Sequence, residues 1–147
     1  MCLYTTQDKQ ITAETDKTVF KIVVFKGSQA FTPYTSTPIP YETLNGQKPF
    51  KANGKTKKMR HFSAFLIEDG NIHTYATAAD AWNIIPYLKK EFGQPAVYEC
   101  IIPKGTAYYY GHTFGKRPSY ASKQIRFVKR LQSPNAPKPT QTELDLR

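Results

Sequence analysis

Cations and aromatic rings interleave in two stretches of this chain that contain no acid. Lys48, Lys51, Lys55, Lys57, Lys58 and Arg60 form the first stretch. Lys104, Lys116, Arg117, Lys123, Arg126, Lys129, Arg130 and Lys138 lie in the second, which runs from residue 100 to 142 without an Asp or Glu. The net charge of +10 is thus concentrated in sequence. Tyr108, Tyr109, Tyr110, Phe114, Tyr120 and Phe127 are threaded through the second stretch. Ammonium and guanidinium groups neutralise phosphates, and rings stack on bases, so this combination is the chemistry of nucleic-acid or other polyanion binding. The residues expected to carry it are Lys55, Lys57, Lys58, Arg60, Lys116, Arg117, Arg126 and Arg130 for phosphate, with Tyr109 and Phe114 as stacking rings. The bland alternative is a solvated charge run that only keeps the chain soluble.

Other chemistries find less support. His61, His73, His112, Cys2 and Cys100 match no compact zinc spacing, and no metal is expected. Phosphate-binding glycine loops are absent from the sequence, and no cofactor is called for. Cys2 would become an N-terminal nucleophile after removal of Met1, but no oxyanion hole or partner acid accompanies it. Glu68 and Asp69 form a carboxylate pair whose place is a turn. Two cysteines cannot build a disulfide framework, and no apolar run approaches a membrane span. The expectation is a soluble, cytoplasmic protein with no membrane partner. Its oligomeric state cannot be read from composition.

The elements that must position these residues follow from periodicity. Residues 1–18 are polar and read as an N-terminal arm. Residues 19–25 (VFKIVVF) are β-branched and aromatic, as in a buried strand. Residues 26–58 hold four prolines and read as a long loop, with Asn53-Gly54 as a possible tight turn. Residues 61–67 and 71–76 flank Asp69-Gly70 and predict a hairpin in which Ile67 pairs with Ile72. Thr77 caps a helix over about 77–92 whose apolar stripe is Ala81, Trp82, Ile85, Leu88 and Phe92, with Pro86 kinking it or dividing it in two. Strands follow at 96–102, 107–110 and 123–130, with Pro103-Lys104-Gly105 as a turn. Residues 132–147 are proline-rich and read as a flexible tail. The prediction is one α+β domain over 19–131, with a largely antiparallel sheet and one principal helix. The two basic blocks are expected to converge on one face.

Two resemblances add to this. Cys2, Phe20-Lys21-Ile22-Val23, Ile102-Pro103-Lys104-Gly105-Thr106 and Ser119-Tyr120-Ala121-Ser122 resemble a family of small uncharacterised proteins of bacteriophages and gut Bacteroidetes. That likeness implies a phage or mobile-element origin and no particular chemistry. The chain is also similar to ADP-ribosyltransferases, in Thr35-Ser36-Thr37, in His73 and in the helix that follows it. This second resemblance implies NAD or nucleotide binding by His73, Tyr75 and Ser36. Between Glu99 and Glu143 there is no acid, so Glu99 is the only nearby catalytic carboxylate available. The leading expectation is a non-catalytic module binding nucleic acid. The alternatives are a transferase-like enzyme and an inhibitor that binds a host defence protein.

Overall fold

A computed structural model describes residues 3–134 of the protein; Cys2 and residues 135–147, which include most of the expected tail and Lys138, lie outside the described residues. In chain order the elements are β1 (Leu3–Thr5), β2 (Ile11–Thr12), β3 (Lys17–Lys26), β4 (Gln29–Phe31), β5 (Pro38–Ile39), α1 (Tyr41–Leu44) and β6 (Phe50–Lys51). Next come β7 (Lys58–His61), β8 (Ala64–Ile67), β9 (Ile72–Tyr75), α2 (Ala78–Ile84), β10 (Gln94–Ile102), β11 (Ala107–Thr113), β12 (Arg117–Ser122) and β13 (Gln124–Arg130). The strands form one mostly antiparallel sheet in the order β6-β13-β10-β3-β9-β12-β11-β1-β8-β7, with β2, β4 and β5 attached to its sides. The architecture is α+β.

The apolar run at 19–25 lies inside β3, which is buried on both faces and is therefore unalternating. β3 pairs along its length with β10, from Lys17↔Ile102 to Phe25↔Gln94. Val19 and Val23 face the main core, with Tyr98, Cys100, Ile125 and Phe127. Ile22 faces the other way, against Val97, Tyr75 and the α2 residues Ala81 and Ile84. Thr77 caps α2 by accepting from the Asp80 backbone N–H at 3.2 Å, while its own hydroxyl donates to the Asp80 carboxylate at 2.9 Å. Pro86 converts the last turn to a 3₁₀ segment over Ile85–Tyr87, and Leu88 is already extended. A separate 3₁₀ turn, Lys90–Phe92, ends at Gly93. The expected helix is thus two short pieces, because proline cannot donate the bond that would carry α2 onward.

Four expectations are corrected. Asp69-Gly70 does not close a hairpin. Ile67 pairs with Leu3 and Lys58, whereas Ile72 pairs with Ser122. The true hairpin is β7–β8, turning at Phe62-Ser63. Leu3–Thr5 is no loose arm. It is an interior strand between β11 and β8, with Leu3 fully buried. The long loop carries Ala30 and Ile39 into the main core, with Leu44, Phe50 and Ala52 packed against it. Finally, β12 (RPSYAS) is a central strand of mostly small residues, flanked by β9 and β11, which gives no apolar alternation to detect.

Directly opposed residues on neighbouring strands share a face. The α2 face therefore carries Phe20, Tyr75 and Ser119, and the opposite face carries Thr74, Tyr120 and Tyr110. Across β3, β10 and β13 that opposite face is sealed by residues of the 26–52 segment. Across β11, β1 and β7 it presents exposed Tyr110, His112, Met59 and His61.

Candidate functional site

Two regions carry chemistry, and the first is a split in the sheet. β3 and β9 touch at a single pair, Phe20↔Tyr75, and part beyond it. A cavity of about 320 Å³ occupies the gap. Lys21, Ile22, Ile72, His73 and Tyr75 line its floor, and Thr32, Tyr34, Thr35 and Thr37 one wall. The opposite wall comes from residues 50–53 and 68–71. The threonine wall is self-organised. Thr32 Oγ1 lies 2.6 Å from Thr35 Oγ1 and accepts from the Thr37 N–H at 2.9 Å.

Lys21 is 7% exposed and spans the gap, donating from Nζ to the His73 carbonyl at 3.1 Å. Among the described residues no carboxylate lies within ion-pair distance of it. Burial in this setting lowers its pKa from 10.5 to about 8. His73 Nε2 lies 2.8 Å from the Glu68 carbonyl, so that nitrogen carries the proton and Nδ1 is left as a lone-pair acceptor. Nδ1 is buried and has no partner. Burial first, and Lys21 among the nearby charges, push the His73 pKa down from 6.5 to about 4. The neutral imidazole is therefore part of the folded state.

A pH dependence follows. Between pH 6.5 and 4 the unfolded chain takes up a proton at His73 that the folded chain refuses. Stability falls as pH drops through this window, by about 3 kcal/mol from this group, and levels off below pH 4. Urea unfolding at pH 7 and pH 4.5 should show the loss, and His73→Phe should shrink it.

The resemblance-derived residues divide here. His73 and Tyr75 line the cavity, as do Thr35 and Thr37. Ser36 does not. It sits exposed at the turn between them with φ of 53°. Glu99 lies outside the cavity, opposed to Phe20 and Lys129 on β10's neighbours. The acidic residues at the cavity are Glu68 and Asp69, and the Glu68 carboxylate is engaged by Lys57 at 3.1 Å. The cavity thus holds two carboxylates, while Glu99, the carboxylate named with the transferase likeness, is not among its lining residues.

The second region is the uncovered face. Tyr4 stacks on His112 with centroids 5.7 Å apart, and meets His61 edge-on at 6.2 Å. His61 in turn meets Phe62 at 4.8 Å. The row runs from β11 across β1 and over β8 to the edge strand β7. Phe62, 87% exposed, sits at the hairpin tip with φ of 55°. A bulky residue in the left-handed region costs about 1–3 kcal/mol and is retained where surroundings or function demand it. Tyr110, 46% exposed, continues the face toward Tyr120, 5.1 Å away, and Lys17 lies over the Tyr120 ring at 5.9 Å.

The expected phosphate ligands are only partly available. Lys58 bonds the Asp8 carboxylate at 2.8 Å and lies 4.9 Å over Phe65; Arg117 is 3.7 Å from Asp80. Lys57 holds Glu68, as above. Acids distant in sequence thus neutralise part of the basic blocks, which no acid-free run could reveal. Lys55, Arg60, Lys116, Arg126 and Arg130 remain exposed. Arg126 donates to the Gly46 carbonyl at 3.2 Å, and Arg130 lies 5.1 Å from the Phe25 ring. Tyr109 is buried with Leu3, Ile67 and Ala121, so it cannot stack on a base; its neighbour Tyr110 is the exposed one. The side chain of Phe114 lies outside the described residues.

Nor do the blocks converge as wholes. β7 and β13 stand near opposite ends of the strand order. The blocks meet where Lys51 on β6 pairs with Gln124 on β13, where the Ala52 N–H donates to the Lys123 carbonyl at 2.9 Å, and where the Gly70 carbonyl accepts from Lys123 Nζ at 2.6 Å. Sequence reasoning missed Lys21, Tyr4, His61, Phe62 and His112. Lys21 alone had a signal, a cation inside an otherwise apolar strand. No known protein family, curated protein or solved structure matches the chain. Among the described residues no helix is long and apolar enough to cross a membrane.

Proposed function

We propose that the protein is a non-catalytic module that binds single-stranded nucleic acid across the uncovered aromatic half of its sheet. The observation that carries this reading is the row His112–Tyr4–His61–Phe62, which leaves rings open to solvent beside a cationic edge strand. Exposed large apolar groups gathered on one face mark an interaction surface. Met59, Phe62 and Tyr110 all belong to this one. A chain with a charge of +10 favours an anionic partner for it. Rings accept any base by stacking, while Lys17, 5.9 Å over the Tyr120 ring on this same face, meets phosphates, so binding is tolerant of sequence and sensitive to salt.

The test is fluorescence anisotropy with labelled oligo-dT and oligo-U beside a duplex, at about 50 mM salt, where phosphate contacts are strongest. Phe62→Ala removes a solvent-exposed ring without opening the core and should weaken single-strand binding about tenfold. Lys17→Ala should weaken all sequences alike and reduce the salt slope by about one. Absence of binding at that salt, or equal binding by the Phe62 variant, would overturn the reading.

A further inference from the structure

The cavity between β3 and β9 is a different site from the aromatic face, and its polar groups are unusual for a merely structural gap. Buried ammonium groups are ordinarily paired with a carboxylate, and buried ring nitrogens ordinarily find a donor. Lys21 has one neutral carbonyl for its three N–H donors, and His73 Nδ1 has nothing. Both lie where the sheet ladder is interrupted, on the floor of a cavity whose size falls at the lower end of small-molecule sites, roughly 300–1,000 Å³.

The two groups ask for complementary things. Lys21 offers spare donors and a positive charge, so it requires an anionic oxygen. His73 is held as an acceptor by its Nε2–H bond to the Glu68 carbonyl, so Nδ1 requires a hydroxyl or N–H donor. A carboxylate or sulfate alone satisfies the first and not the second. The Thr32, Thr35 and Thr37 wall adds hydroxyls that can donate or accept, and Tyr34 at the mouth adds a half-exposed ring. Glu68 and Asp69 also line the cavity. Glu68 is engaged by Lys57, and Lys51 joins Lys21 among the residues that line the cavity.

We infer that this cleft binds the phosphate monoester of a hydroxylated sugar, with the phosphate on Lys21 and a sugar hydroxyl donating to His73 Nδ1. A free sugar phosphate and a nucleoside monophosphate share that chemistry. They differ in whether a base extends toward Tyr34.

The experiment is calorimetric titration of the full chain with ribose 5-phosphate, adenosine monophosphate, inorganic phosphate and ribose. Either phosphorylated sugar should bind at least tenfold more tightly than phosphate or ribose alone. Similar affinities for the first two assign a sugar phosphate; a marked advantage for the nucleotide assigns the base to Tyr34. Lys21→Met should weaken the bound compound at least tenfold, with circular dichroism confirming that the variant is folded. A second measurement needs no variant. On addition of the ligand, the His73 Nδ1 ¹⁵N resonance of the wild-type protein should shift as the nitrogen gains a donor. Absence of binding by both sugars, equal binding by inorganic phosphate, or an unmoved His73 signal at saturation would each overturn the inference. Phe62→Ala should leave these titrations unchanged, which separates failure here from failure of the nucleic-acid reading.

Discussion

Gly111→Ala is expected to destabilise the protein by about 3 kcal/mol, near the upper end of ordinary overpacking costs. The reason is not φ but proximity. A Cβ built on Gly111 would overlap the Tyr4 carbonyl oxygen and crowd the Thr5 Cα at 3.1 Å. Both are backbone atoms of β1, so no flexible side chain can swing aside. β1 cannot withdraw cheaply either. Its three residues pair with Ile67, Leu66 and Phe65 on β8, and Thr5 Oγ1 donates to the Tyr110 carbonyl at 2.6 Å. Displacing it loosens the strand that joins β11 to the β8–β7 hairpin. Denaturant unfolding should show a lower midpoint. Amide exchange in the variant should rise first in β7 and β8, while β3 and β10 stay protected. A midpoint shifted by no more than a surface substitution would mean that β1 is not seated as described. The same change should impair nucleic-acid binding, because Tyr4 and His61 are carried by β1 and β7.

Lys21→Met should move stability the other way. In the folded protein the Lys21 ammonium is disfavoured by desolvation, and its pKa stands at about 8 against 10.5 when solvated. Below pH 8 the folded state carries the penalty of a buried charge. As pH rises from 8 toward 10.5 the folded chain releases a proton that the unfolded chain keeps, so the penalty fades and stability climbs by about 3 kcal/mol. A methionine of similar length carries no charge. The variant should therefore be more stable at pH 7 by roughly 2–3 kcal/mol, and flat in this respect across pH 8–10.5. Thermal unfolding of both proteins over that range gives the check. Equal pH slopes would show that Lys21 is solvated through the open cleft. A buried cation without a carboxylate partner among the described residues weakens the fold, and such positions are retained where function and stability compete.

The sequence by itself determined the elements whose information is local. β3 declared itself through an unbroken β-branched run, the start of α2 through the Thr77–Asp80 cap, and its early end through Pro86. From those pieces an antiparallel α+β sheet with one main helix followed. What the sequence could not contain was which edges meet. Asp69-Gly70 has the composition of a hairpin turn, but β1 and β12 claimed the edges of Ile67 and Ile72 that the hairpin would have joined. Only competition among strands distant in sequence decides such pairings, and the polar run before β3 gave no sign that Leu3 would be a core residue.

The same distinction governs the sites. An acid-free block is a local property, whereas its charge in the folded protein depends on Asp8, Glu68 and Asp80 arriving from elsewhere. Which of three consecutive tyrosines is exposed depends on the face that β1 leaves uncovered. The aromatic row exists only because β1 is seated between β11 and the β8–β7 hairpin, which brings rings from three parts of the chain to one face. The cleft exists only because β3 and β9, paired at one residue, then part and leave Lys21 and His73 across a gap. Composition and periodicity act over a few residues and set the elements; the sites are made by contacts between residues far apart in the chain, and those are settled by tertiary packing.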